Sequence, residues 1–455
     1  MSDGKIVEAK PLVRALSFWH IWAIGVGCVV GDGIFIYMGG AAEIAGPMTL
    51  IPFFTAGLLL MCIMVSMGEM AVGMPAAGSI WVWNRRFLGD YVGFISAVSY
   101  AAGWIIAGGS VGLGIGFIST YFIQVGPTQE FSVIFWALLW VTLFFAINYL
   151  GVVFASRTQL IMVLGLIGFM ILYSIVGYFS GSWDPGNYVP FNPGGWGVFF
   201  PVLAFGTYAY MGALSLVTCG SECRLPTDLP KALVASSITF LVVYTLAMGA
   251  MFGLISYEGM AIVESPFVTA AEAVFGRAAG LVVNIAAWVA AATCLLAGTM
   301  YTASRILYGL GSSKILPPAF SRVNKFQVPG FASVLIWLIS CALILFGVYF
   351  PDQAYLIYGM LLVFCWVVTW AFGLISSILY RKRYPEEVAK LPWKQPMFPV
   401  LPIIGLVALV VILYGTFGAA PQALIYGVIF VAVMSIYYFV YGKVHVTKYE
   451  GHEDS

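Results

Sequence analysis

Apolar runs about as long as a bilayer is thick recur along the whole chain, and no other feature limits the fold more. A membrane-spanning helix needs roughly 20 mostly apolar residues. Runs of this kind fall near 15–38, 43–68, 91–123, 131–149, 159–179, 197–220, 232–256, 279–310, 331–350, 354–380, 398–416 and 421–441. The third and eighth are long enough to tilt strongly or to extend past the bilayer. Polarity does not alternate within the runs, which argues against a membrane barrel. Helices satisfy their own backbone, as hydrocarbon requires. The expected fold class is an all-α integral membrane protein with twelve transmembrane helices.

Composition agrees with that solvent. The chain is 62% hydrophobic and 9% charged, too little polar surface for a water-soluble globule of 455 residues. A net charge of +1 gives no global attraction to nucleic acid. The seven cysteines include no CxxC pair and read as small packing residues. No small-residue cleavage site closes a short apolar core, so no removable signal peptide is expected.

Charge sets the orientation. With the N-terminus in the cytoplasm, only Arg277 among the 20 lysines and arginines falls on the outer side. A missed or extra span would destroy this asymmetry. The expectation is a multi-pass protein of the cell (cytoplasmic) membrane with both termini cytoplasmic. Residues 1–14 form a cytoplasmic segment, 15–380 the core, 381–397 a cytoplasmic loop, 398–441 two peripheral helices and 442–455 a cytoplasmic tail. Tyr449–Ser455 is polar and expected to be disordered. The outer loop 180–196, with Trp183 and Trp196, suits the membrane interface.

The first span carries the chemistry. Gly25, Gly27, Gly31 and Gly33 make a poor helix, since glycine costs up to ~1 kcal/mol relative to alanine. Asp32 sits among them, and an acid at membrane depth faces a cavity, a partner or an ion. Close helix packing would account for the glycines but not for Asp32. Gly112, Gly114 and Gly116 have no charge among them and read as helix contacts. The sixth span is weakened likewise around Tyr208, Tyr210 and Gly212. If spans 1–5 and 6–10 are repeats, five is odd and the second repeat is inverted. Paired interrupted helices at equivalent positions point to a midplane binding site. Unwound backbone there leaves N–H groups for an anionic group and carbonyls for a cationic one.

Ordered motifs then carry a resemblance. They are Gly25-Val26-Gly27 through Gly31-Asp32-Gly33-Ile34-Phe35; Ala77-Gly78-Ser79 with Trp81, Trp83, Arg86, Gly89, Gly93 and Phe94; and Asn148, Gly151, Arg157 and Gln159. Glu222, Pro226, Asp228, Leu229 and Pro230 follow, then Ser304-Arg305-Ile306-Leu307-Tyr308, Leu316-Pro317, Val323-Asn324-Lys325 and Val328-Pro329. Over spans one to ten the chain resembles the amino acid–polyamine–organocation (APC) family of transporters. The resemblance implies a five-plus-five inverted repeat (a leucine-transporter-like fold), discontinuous helices 1 and 6, alternating access, and a substrate bearing an amino group. It implies substrate contacts from Gly27, Cys28, Val29, Gly31, Asp32, Gly33, Tyr100, Tyr208, Met211 and Gly212. Three positions depart from the pattern. Leu214 stands where many members have an acid or aromatic residue, Leu166 where proton-coupled members have a lysine, and Asp32 where a small or hydroxyl residue is usual.

Two readings of Asp32 stand together. Ionised, it pairs with a substrate ammonium, which favours amines or basic amino acids. Alternatively it takes up a proton and couples transport of neutral amino acids to it. A proton is the candidate coupling ion ahead of sodium, although Thr299 and Thr302 lie on the eighth helix, where related folds hold sodium. Glu69 and Glu222 are read as gating or structural ion pairs among Arg85, Arg86 and Arg224, and His20 as a packed or interfacial residue. No metal site or cofactor is expected. An enzyme would need a nucleophile with its base, or a metal cluster. The three histidines, two of them at His445 and His452, do not supply one. A channel is the alternative from another class, separable by unitary currents instead of saturable counterflow.

Overall fold

The chain from Phe18 begins in helix α1 (Phe18–Val29), which gives way to a wide π-helical turn at Gly33–Tyr37 and then to α2 (Met38–Ala45). The structure is a computed structural model and describes residues 16–75, 79–225, 227–258, 260, 265–349 and 351–447. The segment 1–14, Ala77 and Gly78 of the loop motif, Pro226 and the tail Tyr449–Ser455 lie outside the described residues. A bend at Gly46, with φ +58°, leads into α3 (Leu50–Gly73). The amphipathic α4 (Ser79–Leu88) precedes α5 (Asp90–Phe122), followed by α6 (Gln129–Tyr149) and α7 (Val152–Phe179).

The second half opens with α8 (Phe199–Tyr210), which tightens into a 3-10 limb over Met211–Glu222. Next come α9 (Asp228–Leu254) and the short α10 (Pro266–Phe275). Helix α11 (Arg277–Cys294), a π stretch at Leu295–Thr302 and α12 (Ala303–Ser312) make one rod of 36 residues. Then follow α13 (Gly330–Gly347), α14 (Pro351–Arg383), α15 (Pro385–Lys390), α16 (Val400–Ala419), α17 (Pro421–Tyr437) and a final turn, α18 (Lys443–His445). No strand occurs among the described residues; the isolated bridges are Leu16 with Cys223 and Val323 with Pro329.

Eleven helical stretches among the described residues are long and apolar enough to cross a membrane. The first of them, Phe18–Gly73, has 56 residues and contains the bend at Gly46. Helix α5 is the axis of the bundle. It is buried along most of its length and packs against α14, α6, α13 and α4. Helix α17 buries only Ala423 and Gly427. Exposed Val410, Val428, Ile436 and Val440 suit contact with lipid.

Helix ends depart from the sequence expectation where polar residues lie inside an apolar helix. α7 starts at Val152, not near 159, and takes Arg157 and Gln159 into its first turns. The first run continues through Gly39 and Gly40 to Ala45. In the loop 180–196, Trp183 turns inward and donates to the Gly249 carbonyl at 3.3 Å, while Trp196 stays exposed. Tyr188 donates to the same carbonyl at 2.5 Å, and Asn187 to that of Gly253 at 2.8 Å.

At the end of the bundle rich in arginine, Glu69 is buried and meets Arg381 at 2.9 Å. It also accepts from the Gln395 N–H at 2.8 Å, which ties the segment before α16 to α3. The expected companions are otherwise engaged. Arg85 pairs with Asp90 at 2.5 Å, and Arg86 lies over the Tyr384 ring at 4.6 Å. Removing one partner of a buried pair strands the other charge. Arg381→Ala is therefore expected to cost about 3 kcal/mol, read as a lower melting temperature in detergent. Glu69→Gln in that background should recover part of the loss. An unchanged melting temperature in Arg381→Ala would show that the pair contributes nothing.

Candidate functional site

The glycine-rich sequence breaks the first helix where the expectation put it. α1 ends at Val29, and Val30 has φ −77° and ψ 88°, outside helical geometry. Asp32 returns to helical angles and stands immediately before the π turn. Its side chain is only 2% exposed. The Tyr355 hydroxyl donates to Oδ2 at 2.5 Å, and the Tyr208 hydroxyl donates to Oδ2 at 3.0 Å and lies 3.3 Å from Oδ1. No cationic side chain forms an ion pair with it among the described residues. Hydrogen bonds to a charged group contribute roughly 1.5–3 kcal/mol each. Two of them offset part of the cost of a buried carboxylate and leave it short of a full counter-charge.

Three tyrosines enclose this carboxylate. The Tyr37 ring lies 3.9 Å from Tyr208 and 4.5 Å from Tyr355, centroid to centroid. Its hydroxyl donates to the Tyr355 carbonyl. Ser110 on α5 stands 3.3 Å from both the Tyr37 and Tyr208 hydroxyls. One turn further along α5, Gly114 packs beside Asp32. A methyl there would sit 3.4 Å from both the Asp32 Cβ and the Tyr355 hydroxyl. The cage thus draws on the broken helix, α5, α8 and α14.

The two interrupted helices meet beside it. α8 changes to the 3-10 limb at Tyr210, and Gly212 lies directly against the Cys28 carbonyl, leaving no space for a side chain. Gly27 faces Gln159, Gly31 faces Cys294, and Gly33 faces Ala209. Cys28, Val29 and Met211 are buried in the same contact. Sequence reasoning expected free carbonyls at the break, and here the structure differs. The Tyr244 hydroxyl on α9 donates to the Val29 carbonyl at 2.9 Å and lies 3.4 Å from that of Ala209. The Thr293 hydroxyl donates to the Ala290 carbonyl at 2.8 Å and lies 3.4 Å from that of Val30. Without water, a released carbonyl must find a donor in the protein.

The other expected site residues separate. Tyr100 is buried on α5 but packs edge-on against Trp366 at 5.5 Å, ten residues before Ser110. That spacing is ~15 Å along a helix, so Tyr100 does not reach Asp32. Glu222 accepts from the Tyr301 hydroxyl and lies 3.8 Å from Arg305, which stacks 4.1 Å over Tyr301. Its partner is thus Arg305, while Arg224 contributes its backbone. The Leu16 N–H donates to the Glu222 carbonyl at 3.0 Å, and the Arg224 N–H to the Leu16 carbonyl at 2.9 Å. His20 is partly buried, with Nδ1 2.8 Å from the Ser17 hydroxyl. Thr302 bonds to the Ala297 carbonyl, and Leu214 and Leu166 are buried. No metal-binding group of three or more side chains occurs among the described residues.

Tyr37, Ser110, Tyr244 and Tyr355 were not singled out from the sequence, and Gly114 was read only as a helix contact. Ser110 and Gly114, four residues apart, share a helix face, which was a usable signal. Tyr37 is five residues beyond Asp32, and the widened π turn contributes to its placement in the cage.

A multi-pass membrane protein with a buried acid at a broken helix belongs among small-molecule carriers. The sequence matches the amino acid permease family over residues 20–450, and the chain belongs to that family. Three relatives from Bacillus subtilis (strain 168) illustrate its range. The gamma-aminobutyric acid permease is 26% identical over 96% of this chain and 95% of its own length. The amino-acid permease RocE is 25% identical over 95% of this chain and 96% of its own. The methylthioribose transporter is 26% identical over 96% of this chain and 95% of its own. The family and these relatives are transporters, not enzymes.

The Tyr244 hydroxyl gives a direct test of the break. Tyr244→Phe leaves the Val29 carbonyl without that donor and is expected to lower stability by about 1–3 kcal/mol and to slow uptake. Tyr173→Phe removes a buried hydroxyl that has no hydrogen-bond partner among the described residues and should change little. Equal thermal melts for the two variants would refute the role given to Tyr244.

Proposed function

We propose that this permease moves small organic amines or amino acids across the cytoplasmic membrane by alternating access, with a leaning to cationic substrates whose ammonium pairs with Asp32. The observation that carries the reading is the buried Asp32 carboxylate, enclosed by phenol rings and hydroxyls with no cationic side chain paired to it among the described residues. An ammonium there gains a counter-charge for its own. Gly27, Cys28, Val29, Gly31, Gly33, Met211 and Gly212 form the surrounding backbone site, and the start of the half-helix after Asp32 suits a substrate carboxylate. Tyr100 packs with Trp104 and Trp366, away from the Asp32 carboxylate.

The topology in this reading has twelve spans. The 56-residue stretch Phe18–Gly73 would reach ~84 Å if straight, against a hydrocarbon core of about 30 Å. Its bend at Gly46 supports two crossings. Residues 15–380 form the core of two inverted five-helix repeats, 398–441 the peripheral helices, and 381–397 and both termini are cytoplasmic. Glu69 with Arg381, and Glu222 with Arg305, hold the cytoplasmic end together.

A second reading keeps Asp32 as the proton site of a symporter. The close Tyr355 hydrogen bond favours it, since the phenol remains a partner in either protonation state. Sodium coupling is the weaker option. The Val29 carbonyl already accepts a hydrogen bond from Tyr244.

Binding of neutral, acidic and basic amino acids, and of amines lacking a carboxylate, tests the reading on purified protein. Cationic compounds should bind most tightly. Asp32→Asn should weaken them about 30-fold, the equivalent of ~2 kcal/mol. Preference for acidic amino acids would overturn the pairing. If Asp32→Asn retains exchange but loses pH-driven uptake, the proton reading holds instead. Unitary currents in place of saturable counterflow would make the protein a channel.

A further inference from the structure

Beyond the cage, at the end of the bundle remote from Arg85 and Arg305, lies a cavity of about 910 Å³. Ile36 lines it, and the next residue, Tyr37, belongs to the Asp32 cage. Its walls combine two chemistries. Phe117, Val133, Val268 and Val348 offer apolar surface, and Glu130 and Glu272 offer two carboxylates. No lysine or arginine is among the described lining residues. Arg277 stands near Tyr121 but outside the lining.

The acceptors are held in place. The Tyr121 hydroxyl donates to Glu272 at 2.9 Å, which orients that carboxylate. Asn284 is only 4% exposed and lines the cavity. Its amide nitrogen donates to the Ile118 carbonyl at 2.9 Å, which leaves its amide oxygen as an acceptor. An ammonium group brings three donors and needs acceptors for them. A cleft of one charge sign with low-dielectric walls also concentrates the opposite charge. The volume lies within the roughly 300–1,000 Å³ of small-molecule sites.

We propose that this cavity is a second binding site for an organic ammonium, in which Glu272 and Asn284 take the charged head while Phe117 and Val268 face the hydrocarbon body. It goes beyond the Asp32 site and stands or falls separately from it. Ile36 is the lining residue next in sequence to Tyr37 of the cage.

The probe is radiolabelled diaminobutane, measured by equilibrium dialysis on the full chain in lipid nanodiscs. Asp32→Asn should retain a saturable, weaker binding event. Adding Glu272→Gln should weaken that event about tenfold, and Glu272→Asp in its place should restore it. Butanediol or sodium chloride at the same concentration should not compete. In uptake assays Glu272→Gln should raise KM about three- to tenfold, mainly in KM and not in kcat, and Arg277→Gln should lower KM. No residual binding in Asp32→Asn overturns the second site alone. Residual binding that ignores Glu272→Gln, or that sodium chloride displaces equally, also overturns it. Wild-type affinity in Asp32→Asn, with loss on Glu272→Gln, supports the second site and sinks the Asp32 reading. No binding to wild type overturns both.

Discussion

Hydrocarbon offers no hydrogen bonds to a backbone that leaves its helix. The first helix leaves it at Val30, so the site depends first on what satisfies that break. Tyr244 on α9 supplies the donor to the Val29 carbonyl, and the Thr293 hydroxyl of the α11 rod lies 3.4 Å from that of Val30. Tyr244 does more, because its single hydroxyl touches carbonyls from both interrupted helices. Gly212 lets the second of those helices close on the Cys28 carbonyl. The two half-helices are therefore held to each other by backbone contacts and one phenol.

With the break fixed, Asp32 has one place to go. It points between α5, α8 and α14, beside Gly114, and Tyr208 and Tyr355 donate to it. The carboxylate has donors but no cationic side chain paired to it among the described residues. Elsewhere the buried acids are paired: Glu69 with Arg381, and Glu222 with Arg305. The contrast sets Asp32, held by hydroxyls, apart from the acids whose ion pairs tie helices together.

Much of this was legible before any coordinates. Continuous apolar runs locate the helices because lipid allows few other structures. Glycines around a charge locate the break because glycine is weak in a helix and a charge is costly at depth. The cage was less legible. Tyr355 lies 323 residues from Asp32 in sequence, and nothing local marks it among 25 tyrosines. Tyr37 is reached through a π turn that the sequence does not announce. The ion-pair partners were misassigned for a similar reason. Arg85 and Arg86 sit near Glu69 in sequence, yet Arg381 arrives from α14. Helix α10 escaped notice because it is too short to span a bilayer.

The limb from Met211 to Glu222 stores a length. Its 12 residues form a 3-10 helix, which rises ~2.0 Å per residue where an α-helix rises ~1.5 Å. It is thus ~6 Å longer than the same residues coiled as an α-helix. Leu16 is tied to its far end by two backbone hydrogen bonds. Any recoiling of this limb would draw Leu16, and with it the start of the first helix, along the same line.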